Sequence, residues 1–124
     1  MSERTILYIE DNEYNRKIVR QLLSRTSYQL LEAVDGEAGV AIAQEKLPQL
    51  ILLDVQLPKM SGHEATRILK KDPRTAHIPI IVITSFALSG DRELAAAAGA
   101  NGYLAKPYSP RELLALVRQY LPEQ

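Results

Sequence analysis

The sequence predicts an α/β protein, a three-layer sandwich in which five parallel strands form a sheet with helices on both faces. Three observations carry that prediction. Short apolar runs alternate with longer amphipathic stretches along the whole chain. Residues that start and stop helices punctuate the alternation. The 124 residues, 46% hydrophobic and 24% charged, have the composition of one soluble domain large enough to build its core without disulfide or metal staples.

The first apolar run, Ile6–Ile9, is closed by Glu10-Asp11-Asn12, and Ile18, Val19, Leu22 and Leu23 then make one apolar helical face. Tyr28–Leu31 is the second run; Asp35-Gly36 begins the helix after it and Leu47-Pro48 ends that helix. Leu50–Leu53 is the third, ending at Asp54. Ser61-Gly-His-Glu64 has the form of a capping box, so a helix starts there and stops by Asp72-Pro73. The fourth run, Ile80–Ile83, meets Thr84. Ser89-Gly90-Asp91 is a weaker start for a helix whose small Ala95 to Ala98 side chains suit close packing on the sheet, with Gly99 as its stop. Gly102–Leu104 is the fifth run, with Lys106 just past it. Ser109-Pro-Arg-Glu112 is a second capping box with Pro110 at the first helical position, and Leu113, Leu116, Val117, Tyr120 and Leu121 give the last helix its apolar face. No linker or repeated motif interrupts the series, so the expectation is a single domain over residues 1–124 with no output domain.

Fifteen Lys and Arg balance fifteen Asp and Glu, which leaves no global field to hold a polyanion or an anionic membrane. Neither nucleic acid nor membrane is therefore expected as a partner. The absence of cysteine excludes disulfides, thiolate zinc sites, iron–sulfur clusters and cysteine nucleophiles. A charged N-terminus followed by a very short apolar run fits neither a signal peptide nor a spanning helix.

In open parallel sheets, ligands bind beyond the carboxyl ends of the strands. Glu10 and Asp11, Asp54, Thr84 and Lys106 all fall there. If the first and third strands are neighbours, three carboxylates, a hydroxyl and an ammonium converge on one pocket. Packed carboxylates repel unless a cation neutralises them or one stays protonated, and a hard, oxygen-loving divalent ion such as Mg2+ is the simplest answer. That equipment suits phosphoryl transfer to a carboxylate, with Asp54 attacking. Taken singly, each residue has a plainer explanation: Asp54 as a turn acid, Glu10-Asp11 as a helix cap, Thr84 as a strand-end β-branched residue, Lys106 as a surface cation. Their joint spacing argues against the plain readings. His63 and His77 have no second ligand at metal spacing and are expected at the surface; Tyr14, Tyr108 and Tyr120 are expected as partial core or surface rings.

The chain resembles the receiver domain of two-component response regulators. The likeness runs through Ile6-Leu-Tyr-Ile-Glu-Asp-Asn12, Leu52-Leu-Asp-Val-Gln-Leu-Pro58, Ile83-Thr-Ser-Phe-Ala87 and Tyr103-Leu-Ala-Lys-Pro107. It implies a flavodoxin-like sheet in the order 2-1-3-4-5. It implies Asp54 as acceptor of a phosphoryl group from a phosphohistidine, with Thr84 and Lys106 engaging that group. Mg2+, with Mn2+ as the alternative ion, would be held by Glu10, Asp11, Asp54 and the main-chain carbonyl of Gln56. Tyr103 would be an aromatic switch coupled to Thr84, and the Lys106-Pro107 peptide would be cis. The donor would be a histidine kinase or histidine phosphotransfer protein docking near Tyr14, Asn15 and Ile18. The output would be a protein target read through the fourth helix, fifth strand and fifth helix, in a bacterial, cytoplasmic, stand-alone receiver of the chemotaxis type. Such a protein would catalyse only its own phosphorylation and dephosphorylation.

Three positions depart from or vary within the family pattern. Glu10 stands where many members have Asp, which bears on metal geometry. Gln56 and Phe86 lie where phosphoryl lifetime is tuned, and Phe86 offers no hydrogen bond to a hydrolytic water, so slow autodephosphorylation is expected. Three other readings stay open. A flavin or nucleotide binder of this architecture is disfavoured by the acidic first loop and the lack of glycine-rich phosphate motifs. An aspartyl-phosphate hydrolase would place its nucleophile after the first strand. A degenerate receiver would serve only as a binding module, although here the full set of site residues is present.

Overall fold

The computed structural model describes residues 4–85 and 90–123. Strands β1 (Thr5–Ile9), β2 (Gln29–Ala33), β3 (Leu50–Asp54), β4 (Ile80–Thr84) and β5 (Gly102–Ala105) alternate with helices α1 (Glu13–Leu23), α2 (Gly36–Lys46), α3 (Gly62–Lys71), α4 (Asp91–Ala98) and α5 (Pro110–Tyr120). All strand pairs are parallel, in the order β2-β1-β3-β4-β5. The fold class and strand order are those expected. The small shifts are at strand ends: β2 begins one residue after Tyr28 and continues through Glu32 and Ala33.

Alternation along each strand sends side chains to two separate cores. Ile6, Tyr8, Leu50, Leu52, Ile81 and Ile83 pack with Val19, Leu23, Leu113 and Val117 under α1 and α5. Leu7, Ile9, Ile51, Leu53, Ile80 and Val82 pack with Ala43, Ala65, Leu69 and Ala95 under α2, α3 and α4. β3 and β4 are buried throughout, as the centre of a doubly covered sheet must be.

The helices start where local chemistry dictates. Asn12 and Asp35 cap α1 and α2 with side-chain oxygens, and Ser61 and Ser109 form complete capping boxes with Glu64 and Glu112. α4 is different. Its N-cap is Gly90, left-handed at φ 97°, with no side-chain cap bond. Close approach explains Gly62: a Cβ there would lie 2.3 Å from the main-chain oxygen of Asp54, so only glycine lets α3 sit on the end of β3. Ile18, expected on the buried face of α1, is instead 41% exposed, because the helix turns only Val19 and Leu23 fully inward.

Candidate functional site

The parallel ladder extends one residue past several strands, which fixes the backbone on which the site is built. Glu10 N donates to Ala33 O at 3.0 Å, Val55 N to Ile83 O at 3.0 Å and Lys106 N to Thr84 O at 2.7 Å. Beyond Lys106 the bond to Pro107 is cis.

On this rim Lys106 Nζ donates to Asp54 Oδ2 at 2.7 Å and reaches Glu10 Oε1 at 3.4 Å. Both carboxylates are buried, at 2% exposure. The other oxygen of Asp54 accepts from the main-chain N–H of Gln56 at 2.7 Å. Glu10 also accepts from the Tyr8 hydroxyl at 3.2 Å, the Asn12 N–H at 3.1 Å and the Asn15 amide at 3.4 Å. Thr84 is fully buried at the end of β4, next to this cluster in the sheet. Across the mouth, the Ser85 hydroxyl donates to the Gln56 side-chain oxygen at 3.0 Å. Phe86 lies outside the described residues.

The electrostatics follow from this arrangement. Burial pushes the Lys106 ammonium down, but the bond to Asp54 and the charges of Asp54 and Glu10 outweigh it, so the net shift is upward and the amine stays charged. Loss of hydration, together with the neighbouring Glu10 carboxyl, raises the carboxyl of exposed Asp11. Burial, then the proximity of Tyr108, Glu10 and Asp54, holds the Tyr8 phenol far above its usual range, so it serves Glu10 as a neutral donor. Three carboxylates facing one ammonium leave a deficit of positive charge that a divalent ion would fill, and every candidate donor is a hard oxygen. Among the described residues, no three acidic or histidine side chains form a group arranged to hold a metal by themselves.

Beside Lys106 opens a cleft of about 520 Å3, lined by Asn15, Ile18, Ser85, Lys106, Pro107 and Tyr108. Tyr14, on the same helix as Asn15 and Ile18, is 70% exposed. Tyr103 stands apart, on the α4 side of the sheet, where its hydroxyl donates to Asp91 Oδ2 at 2.9 Å.

Three residues around these groups escaped the sequence reading. Tyr8 is one, although it lies two residues before Glu10 on a strand and so shares its face; that periodicity is the signal that finds it. Arg16 is another: it donates to the Glu10 carbonyl at 2.8 Å and so ties the acidic loop to α1. The third is His63, expected at the surface. Its side chain is only 13% exposed, because α4 lies over it and brings Asp91 Oδ1 to 3.5 Å from Nε2. His77 is exposed, as expected.

The family profile of the response regulator receiver domain matches residues 6–118. The chain belongs to the response regulator receiver domains. As a whole-length relative, the polar-differentiation response regulator DivK of Brucella anthropi is 37% identical to this receiver over 118 residues, covering 95% of this chain and 96% of DivK. Among solved structures, the receiver domain of the sensor histidine kinase PA1611 of Pseudomonas aeruginosa superposes with a TM-score of 0.88 at 34% identity, covering 96% and 98% of the two chains. That structure has a magnesium ion coordinated in its active-site cleft. The chemotaxis protein CheY4 of Vibrio cholerae superposes with a TM-score of 0.91 at 28% identity, over 97% of this receiver and all of CheY4 (100%). The receiver is thus a signalling domain of two-component systems, like its bacterial relatives. Among its described residues, no helix is long and apolar enough to cross a membrane.

Proposed function

We propose that this receiver takes a phosphoryl group onto Asp54 from a phosphohistidine on a histidine kinase or phosphotransfer protein, and passes the signal to a partner protein. The observation that carries the reading is the contact of the buried Asp54 with Lys106 at 2.7 Å, at the end of a central strand and beside a second buried acid. An oxygen of Asp54 attacks phosphorus, the P–N bond breaks, and its electron pair leaves with the donor imidazole. Lys106 then meets the new phosphoryl oxygens as a compact point charge, and the Thr84 hydroxyl donates to them. Glu10, Asp11, Asp54 and the Gln56 carbonyl would hold Mg2+ or Mn2+, which when bound offsets the charge of the incoming group. Support for that ion comes from the oxygen-only donor set and its missing positive charge, and from relatives that carry magnesium or manganese.

The donor docks over α1 beside the cleft, where exposed Tyr14 and Ile18 give apolar contact next to Lys106. The output surface is α4, β5 and α5, and Tyr103 changes its position there when Thr84 is drawn toward the phosphoryl group. Gln56 and Phe86 leave hydrolysis slow. The protein works by its occupancy rather than by turnover, in a soluble bacterial pathway.

The test is intact mass after incubation with Mg2+ and acetyl phosphate. One phosphoryl addition that disappears in Asp54→Asn and without Mg2+ supports the reading. No addition, either from acetyl phosphate or from a panel of histidine-phosphorylated proteins, would overturn it. A phosphoryl half-life of seconds at neutral pH would overturn the slow-hydrolysis part alone.

A further inference from the structure

Asp91 is held from two sides. Its Oδ2 accepts from Tyr103 on β5 at 2.9 Å, and its Oδ1 lies 3.5 Å from His63 Nε2 on α3. Both His63 and Asp91 are mostly enclosed, at 13% side-chain exposure. Arg92 lies over the Tyr103 ring, 4.5 Å from its centre, and Glu93 adds a further nearby charge. Burial and the Asp91 carboxylate push the Tyr103 phenol up, so it remains a donor at neutral pH.

This chain of contacts sits where α4 is otherwise least anchored. The other four helices have side-chain caps, but α4 starts from Gly90 without one, and Asp91 is its first residue. At the opposite end of the chain, His63 follows Gly62. The Gly62 N–H donates to Val55 O at 2.9 Å, and Gly62 presses on the Asp54 carbonyl closely enough to exclude a Cβ. The start of α3 therefore rides on the backbone of the proposed phosphoacceptor. His63 Nδ1 is buried and finds no partner among the described residues, so the contact to Asp91 through Nε2 is the polar interaction that accounts for the ring's place.

We propose that His63 is a positioning residue for Tyr103: through Asp91 it latches the aromatic ring over α4 and ties that ring to the start of α3. Movement of the Asp54–Val55 backbone then reaches Tyr103 by a second route, through α3, besides the one through Thr84. The inference rests on the reading of Asp54 as acceptor and Tyr103 as its reporter. The coupling is carried by one carboxylate with two partners, one on each oxygen.

The experiment uses the full chain labelled with 3-fluorotyrosine, with the Tyr103 fluorine signal assigned by its loss in Tyr103→Phe. It is run first without Mg2+ or phosphodonor. Asp91→Ala is expected to move the Tyr103 signal, His63→Ala to move it in the same direction, and the double variant to add nothing. The loss of one hydrogen bond to a charged group corresponds to roughly a tenfold change in the ratio of held to released ring. His63→Gln, which keeps a donor, is expected to restore much of the wild-type position, and circular dichroism checks that each variant is folded. A Tyr103 signal unmoved by His63→Ala, or shifts that simply sum in the double variant, would overturn the latch. Acetyl phosphate and Mg2+ are then added to the wild type. Phosphorylation that carries the signal toward its Asp91→Ala position supports the switch role, and phosphorylation that leaves the signal in place refutes it. Absence of any phosphoryl addition by mass, from acetyl phosphate and from the panel of histidine-phosphorylated proteins alike, refutes the acceptor reading instead, while the first spectra still decide the latch.

Discussion

Replacing Gly62 by alanine tests how tightly the backbone of the proposed phosphoacceptor is bound to α3. The added Cβ would lie 2.3 Å from Asp54 O, 2.7 Å from Val55 Cα and 2.9 Å from Asp54 C. All three are main-chain atoms, which cannot swing away as a flexible side chain does. Restoring ordinary contact requires α3 and the end of β3 to part by about 1 Å, in an interior packed as densely as a crystal. Overpacking of this kind costs about 1–3 kcal/mol, offset by up to about 1 kcal/mol from the better helix propensity of alanine. With a net cost of about 1–2 kcal/mol, the middle of that range, and roughly 3–5 °C per kcal/mol for a chain of this size, a fall of roughly 3–10 °C in the thermal midpoint is expected. The function should suffer more, since a shift of about 1 Å in an attacking group can slow a reaction about 100-fold. The assays are thermal unfolding by circular dichroism and the initial rate of labelling by acetyl phosphate. Gly36→Ala is the control, because its Cβ meets only the movable Met60 side chain, 3.0 Å away. A Gly62→Ala protein that melts within about 1 °C of wild type and is labelled at the same rate would refute the reasoning.

Other perturbations reach different parts of the molecule. Lys106→Met leaves Glu10 and Asp54 buried without their shared cation, so labelling should fall by at least about tenfold; Lys106→Arg should not restore it, because a planar guanidinium cannot replace a compact ammonium in the same space. Ser109→Ala breaks the α5 capping box at a cost of about 1 kcal/mol, read as a drop of roughly 3–5 °C in the thermal midpoint. The Arg74 side chain, then its N–H, holds the Asp72 carboxyl down at about 2, below its unfolded value of about 3.9. A lowered folded pKa gives stability that is fully present above about pH 4 and lost as pH falls through about 2. Arg74→Ala should therefore melt below wild type at pH 6 and converge with it toward pH 2; parallel pH curves would refute the assignment.

The architecture was legible because this fold writes itself locally. Buried central strands read as continuous apolar runs, and capping boxes mark helix starts within four residues. The convergence of Glu10, Asp54 and Lys106 was legible for a related reason: each stands at the carboxyl end of a run, and the topology does the rest. The cis bond at Lys106-Pro107 could come only from resemblance, since nothing in an isolated Lys-Pro pair favours it. What stayed hidden depends on contacts between elements. His63 reads as a polar residue in the first turn of an amphipathic helix, and its enclosure is created by α4, which begins nearly a quarter of the chain later. Ile18 looked like core because its own helix has an apolar stripe, but the helix as packed turns only Val19 and Leu23 fully inward. Arg16 gave no signal at all, since a guanidinium bound to a carbonyl six residues earlier looks like any solvated charge.

The two-sided alternation of the strands has a consequence for how such a chain can change over time. Glu10, Asp54 and Lys106 share the strand parity of the core under α1 and α5, while Thr84 and Tyr103 share that of the core under α2, α3 and α4. The sheet thus acts as a bulkhead between the compartment where charge is gathered and the compartment where a ring is held. Loops can lengthen or shorten without disturbing this division, but a single residue gained or lost within β4 or β5 would turn every following side chain through to the wrong compartment. Lengths of the strands, more than the identities of most residues on them, are what keep the Asp54–Lys106 contact and the Tyr103 ring on their own sides.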